Sequence, residues 1–224
     1  MGFRDASAVI PALNAARALG ATLDTLAEGG LAEIVVVDGG STDATVDVAT
    51  KFGARVITAA PGRGGQLAAG VATATSPWVL LLHADTRLAP GWVSAVERHI
   101  ASAPDRAGYF HFALASTAPS ARRLERMVAW RCRLFALPYG DQGLLIHRDL
   151  LNSVGGIRPL PLMEDVDLVR RLGRRRLAPV DAHAITAADR FERDGWLARS
   201  LRNLACLGLY FSGVPPSLIA RFYG

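Results

Sequence analysis

The sequence predicts an α/β fold with a mostly parallel central sheet covered by helices. Three observations lead there. Apolar, β-branched runs alternate with Ala/Leu-rich segments at short intervals over residues 6–83, the β-α-β-α-β-α-β rhythm of a parallel sheet. The runs 32–37 and 78–82 are almost continuously apolar, as strands buried on both faces are. Both end abruptly in polar residues, Asp38-Gly39-Gly40-Ser41-Thr42-Asp43 and His83-Ala84-Asp85. The crevice outside the carboxyl ends of the strands is where such sheets bind ligands.

Taken in order, residues 6–11 form a first strand ending at Pro11. Residues 15–28 form a helix stopped by Gly29-Gly30. The strand 32–37 follows, then a helix to Phe52 capped by Thr42 or Asp43. A strand over 54–58, a glycine-rich loop over 61–65, a small-residue helix over 66–75 and the strand 78–83 complete the parallel part. Beyond residue 90 the rhythm changes. Helices are expected over 91–100, 120–137, 149–154, 164–174 and 194–211, with strands over 108–115, 142–147 and 178–186. Residues 108–115 alternate like an exposed or antiparallel strand. Val214-Pro215-Pro216 breaks the last helix.

A chain of 224 residues, half of them hydrophobic, suits one large domain with a substantial core. We expect a division into 1–190 and a helical C-terminal appendage over 191–224. Cys132 and Cys206 are isolated, so neither a zinc site nor a disulfide framework is expected, and a reducing cytoplasm is the simplest compartment. Residues 204–220 lack charge but are too short and too interrupted to span a bilayer. Arg193, Arg199, Arg202 and Arg221 flank them, which leaves open peripheral contact with the inner face of the plasma membrane, or packing on the catalytic domain or in a homodimer. The net charge of +5 is carried largely by Arg, the side chain best matched to phosphate. No basic stripe interleaved with aromatics appears, so nucleic acid is not an expected partner.

Four acidic segments fall where strands end or helices begin: Asp38, Asp85, Asp141 and Glu164-Asp165. For each alone, a turn residue or a first-turn helix acid is the more ordinary reading. Together they mark the edge where an α/β sheet collects its active site.

With their neighbours, these segments resemble the family-2 glycosyltransferases, whose GT-A fold binds nucleotide sugars. Val9-Ile10-Pro11-Ala12-Leu13-Asn14 is similar to the opening strand of that family, and Val35-Val36-Val37-Asp38-Gly39-Gly40-Ser41-Thr42-Asp43 to its second. Gly62-Arg63-Gly64-Gly65-Gln66 resembles its loop and helix near the nucleotide. His83-Ala84-Asp85 stands where the family has its D-x-D metal motif, as in a bacterial short-chain subgroup. Met163-Glu164-Asp165-Val166-Asp167-Leu168 resembles the helix start that carries the catalytic base.

The resemblance implies an inverting transferase that moves a sugar, a hexose by expectation, from a UDP- or GDP-linked donor to an acceptor alcohol or lipid-linked glycan. Asp85, with His83, would hold Mn²⁺ or Mg²⁺ against the diphosphate; imidazole is the less usual partner for Mg²⁺. Pro11, Ala12, Asn14, Asp38, Arg63, Ala84 and Asp85 would bind the donor nucleotide. Asp165 would be the general base, with Glu164 beside it, and Asp141 and Gln142 would face the acceptor. His183 is set aside as structural. Two other readings remain: a nucleotidyltransferase, disfavoured by Ala12-Leu13-Asn14 after the first strand, and a non-enzymatic nucleotide-sugar-binding protein whose metal site has decayed at His83.

Overall fold

A computed structural model describes residues 5–223. Its centre is one eight-stranded sheet: β1 (Ala6–Ala12), β2 (Glu33–Asp38), β3 (Arg55–Thr58), β4 (Trp78–Leu81), β5 (Thr86–Leu88), β6 (Ala107–Leu114), β7 (Leu144–His147) and β8 (Leu177–Thr186). They run in the order β3-β2-β1-β4-β7-β6-β8-β5. The half β3-β2-β1-β4 is parallel throughout. In the other half β7 is antiparallel to both β4 and β6, β6 and β8 are parallel, and β5 is antiparallel to β8. The sheet is thus mixed, with its parallel part encoded by the first four expected strands.

Successive residues on a strand face opposite sides of the sheet, and the core divides accordingly. Ala8, Ile10, Val36 and Leu80 meet Leu19, Leu23 and Leu26 of α1 (Ala16–Ala27), Ala49 of α2 (Thr45–Lys51) and Trp92 and Val96 of α4 (Trp92–Ser102). Val9, Val35, Val37 and Val79 meet Leu67 of α3 (Arg63–Thr73), Leu151 of α6 (Arg148–Ser153) and Leu168, Val169 and Leu172 of α7 (Glu164–Leu172). Every side chain of β1 is buried, which explains why its apolar pattern shows no alternation. Gly70 lets α3 approach this sheet closely, since a Cβ there would lie 2.3 Å from Val9 Cγ1.

Several boundaries differ from expectation. Helix α3 begins at Arg63, within the anticipated glycine loop, so the Arg63 side chain is placed by a helix rather than a loop. Strand β4 stops at Leu81, two residues short of His83. The short β5, and the helices α8 (Asp189–Asp194) and α10 (Pro216–Tyr223), are additional. β5 is only three residues long, too short to show a period, and it exists because β8 pairs with it. Gly195, at φ 85°, separates α8 from α9 (Trp196–Phe211), and the expected break at Pro215-Pro216 also starts α10, because proline is tolerated at the first helical position.

The C-terminal helices are tied to the rest. Cys206 and Ile219 pack with Leu162, just ahead of α7. Phe112, Leu114 and Ala188 pack with Ala121, Val128 and Cys132 of α5 (Pro119–Phe135). Among the described residues, no helix is long and apolar enough to cross a membrane.

Candidate active site

Six segments converge on one cleft of about 130 Å³ at the carboxyl edge of the sheet. His83 and Asp85 enter it because the chain leaves the sheet after β4 and turns toward β5. The Asp85 carbonyl accepts from Ala187 N–H at 3.1 Å, and the hydroxyls of Thr86 and Thr186 meet at 2.8 Å. Arg63 comes from the first turn of α3, Asp165 from the first turn of α7, and Arg190 from α8. Tyr139 and Asp141 come from a 3₁₀ turn over Gly140–Gln142. The last wall is C-terminal: Arg199 and Asn203 of α9 and Tyr223 of α10. The expected boundary at 190 therefore sets apart a segment that supplies part of the cleft.

The Asp165 carboxylate is held by backbone. Gly140 N–H donates to Oδ2 and Val166 N–H to Oδ1, each at 2.7 Å. Gly140 is required here: a Cβ would lie 2.6 Å from His83 Nε2 and 3.3 Å from Asp165 Oδ2. Gln142, expected to face the acceptor, instead turns inward. Its amide N–H donates to the Phe110 carbonyl at 2.9 Å, and its oxygen accepts from Tyr139 N–H and from Arg131 Nη2, each at 3.2 Å. A buried amide with both its oxygen and its nitrogen engaged by the protein shapes the turn. Thr186 completes the turn by donating to the Asp141 carbonyl at 3.0 Å.

The cleft is electrostatically tense. Burial pushes the Asp141 carboxyl up to about 6, against the pull of Arg131 and with the push of Asp165 and Asp85. Burial and the Asp165 charge push Glu164 up to about 7, although Arg63 Nε stands 3.4 Å from its Oε1. Glu164 is 2% exposed and lies behind the cleft, facing Arg63. Burial, with Arg63 and Arg190 nearby, lowers His83 to about 3, which leaves its imidazole neutral at physiological pH. Asp141 Oδ1, Glu164 Oε2 and Asn203 Oδ1 are buried without a hydrogen-bond partner. Native proteins tolerate few such atoms.

Of the expected nucleotide residues, Arg63 and Asp85 line this cleft, whereas Pro11, Ala12, Asn14 and Asp38 belong to a neighbouring rim. Asp38, at the end of β2, accepts from Gly40 N–H at 3.0 Å and from Ser41 N–H at 3.1 Å. Asn14, at φ 50°, accepts from Thr42 N–H at 2.9 Å while its own N–H donates to Ser41 Oγ at 2.9 Å. Asp43 caps locally, accepting from Ala16 N–H at 3.1 Å and Thr45 N–H at 3.0 Å. The Gln66 amide donates to the carbonyls of Ala12 at 2.9 Å and Val37 at 2.7 Å, joining the end of β1 that follows Pro11 to the end of β2. Ala84 is buried, its carbonyl accepting from Thr22 Oγ1 at 2.9 Å. Rim and cleft are linked through α3, which carries Arg63 in one and Gln66 in the other.

Sequence reasoning missed Thr186, Arg190, Asn203 and Tyr223 as cleft residues, and Gly140 as the donor that holds Asp165. Only Gly140 left a signal, as a glycine beside Asp141. His183 lies outside the cleft, exposed on β8 with its ring 5.5 Å from that of His111.

Among the described residues, no three His, Cys, Asp or Glu side chains form a metal cage. Asp85 and neutral His83 offer two donors on one cleft wall. That set fits a cation that takes the rest of its shell from phosphate and water, as Mg²⁺ commonly does.

Comparison with known proteins gives this geometry a family. Residues 7–142 match the model of glycosyl transferase family 2, and the chain belongs to that family. Over 91 residues it is 44% identical to the PGL/p-HBAD biosynthesis glycosyltransferase of Mycobacterium tuberculosis, a match covering 37% of this chain and 36% of the relative. The match thus spans little more than a third of that relative. Among solved structures, glucosyl-3-phosphoglycerate synthase from Mycobacterium tuberculosis, in complex with Mn²⁺ and UDP-glucose, superposes with a TM-score of 0.62 at 22% identity, covering 95% of this chain and 80% of that one. S. aureus TarS in complex with UDP gives 0.63 at 15% identity, covering 100% and 70%. These likenesses establish the GT-A fold.

Proposed function

We propose that this chain is an inverting glycosyltransferase that moves a sugar from a nucleoside-diphosphate donor to an acceptor hydroxyl. The observation that carries the reading is the convergence of Asp85, Asp141 and Asp165 with Arg63 and Arg190 in one cleft of a family-2 chain. Asp165 accepts the proton of the acceptor hydroxyl as that oxygen attacks the anomeric carbon. The new bond joins this oxygen to the anomeric carbon, the bond to the diphosphate breaks, and its electron pair leaves with the phosphate. One displacement from the face opposite the phosphate inverts the anomeric configuration. The two N–H donors on Asp165 keep its carboxylate aimed while it works. Arg63 and Arg190 receive the diphosphate charge. When bound, Mn²⁺ or Mg²⁺ held by Asp85 and His83 would neutralise the leaving diphosphate.

UDP is the donor nucleotide we favour, because the two solved relatives of the same fold bind it. Asp38 and the Pro11–Asn14 segment then form the base-side rim. The family match and the aspartates of the cleft weigh against both a nucleotidyltransferase and a decayed binding protein. Calorimetric titration with UDP and GDP, each with and without Mn²⁺, tests the reading. UDP binding strengthened by Mn²⁺ is the expected result. Absence of binding by either nucleotide would remove it.

A further inference from the structure

Beside the acidic cleft, α5 and α9 enclose a groove of about 770 Å³, within the size range of small-molecule sites. Met127, Trp130 and Leu134 line it from α5, and Leu197, Leu201 and Leu204 from α9. Each of these six is at least half exposed. Their helical spacing gathers them on facing sides, where an exposed apolar patch of this kind marks a binding surface. Its inner end opens on the cleft, because Tyr139, Asp141, Phe191 and Asn203 line both. At that doorway Asp141 Oδ1 and Asn203 Oδ1 are the buried acceptors without a hydrogen-bond partner.

The geometry points to this groove as the seat of the acceptor's apolar part. The acceptor is an amphipathic alcohol: its hydroxyl end satisfies Asp141 and Asn203 and reaches Asp165, while its hydrocarbon body lies between α5 and α9. The inference rests on the transfer reading above and names the acceptor class for that site. A wholly polar acceptor would leave the six apolar side chains facing water. A second copy seated face to face would bring the groove-lining Arg123, Arg126 and Arg131 of α5 against the same charges. A bilayer surface does not enter a concavity whose floor is Asp141.

The test uses butyl, hexyl and octyl β-glucosides below their micelle concentrations, followed by calorimetry and by tryptophan emission, in parallel with UDP and Mn²⁺. Affinity should rise about two- to fourfold per added methylene, with a blue shift that is lost in Trp130→Phe. Leu201→Glu and Met127→Glu, both at exposed positions, should abolish the chain-length dependence and leave UDP affinity within about twofold. A flat series with intact UDP binding overturns the groove alone. A rising series without UDP binding overturns the transferase reading and the acceptor assignment with it. Binding to phosphatidylglycerol vesicles without binding to monomeric glucosides would make the face a membrane surface, and a dimer dissolved by Leu201→Glu would make it a subunit interface. Either overturns the proposal.

Discussion

The rim at the ends of β1 and β2 and the cleft beyond β4 sit on the same sheet edge, yet their polar groups are in opposite states. In the rim, each carboxylate, amide and hydroxyl of Asn14, Asp38, Ser41, Thr42, Asp43 and Gln66 finds a partner nearby. In the cleft Asp141, and just behind it Glu164, each keep a buried oxygen without one, and both carboxyls are raised well above their ordinary range. The rim is a finished scaffold that presents a surface. The cleft holds charge in tension that a ligand relieves, a combination typical of functional sites.

Breaking the rim should cost mainly stability. Gln66→Leu removes both bonds to the Ala12 and Val37 carbonyls and should lower unfolding free energy by about 2–3 kcal/mol, read by urea denaturation. A change below a few tenths would show that the network is not a support. Gly140→Ala forces a methyl against His83 and the Asp165 carboxylate, an overpacking cost of about 1–3 kcal/mol. Here turnover should fall further than stability, because the donor to Asp165 moves. Equal losses would reduce Gly140 to packing.

Breaking the cleft should cost function first. Asp85→Asn should remove the Mn²⁺-dependent part of UDP affinity, about tenfold or more, with thermal stability unchanged; undiminished metal dependence would exclude Asp85 as a ligand. The smallest effect is a pH dependence. Glu164 titrates near 7 in the fold against 4.5 in the unfolded chain, so between those values the folded state keeps a proton that the unfolded chain has lost. Stability should therefore fall as pH rises from about 4.5 through 7. Glu164→Gln should flatten that decline, leaving the smaller contribution of Asp141; a curve as steep as the parent's would contradict the burial account.

Much of this contrast was legible in the sequence. Runs such as Val35-Val36-Val37 and Leu80-Leu81-Leu82 declare doubly buried strands, and the acids after them fall at strand ends by simple order along the chain. Asp85, Asp141 and Asp165 meet for that reason. What no local pattern carried was the direction of side chains and the pairing of distant segments. Gln142 reads as a polar neighbour of Asp141, but on a 3₁₀ turn adjacent residues face different ways, and this one faces Phe110. The short β5 exists only through β8, more than ninety residues later. Asn203 and Tyr223 reach the cleft because Cys206 and Ile219 pack on Leu162, a tertiary contact without a periodic signature. Helix α5 shows the converse: its arginines are visible at once, while the groove they border appears only with α9 beside it.

We propose that Asp165 does chemistry and not binding. Asp165→Asn keeps the shape of the side chain and removes the base, so UDP affinity measured with Mn²⁺ should stay within about twofold while sugar transfer falls by about 10²–10⁴. Unchanged turnover in that variant, with nucleotide binding intact, would contradict the account.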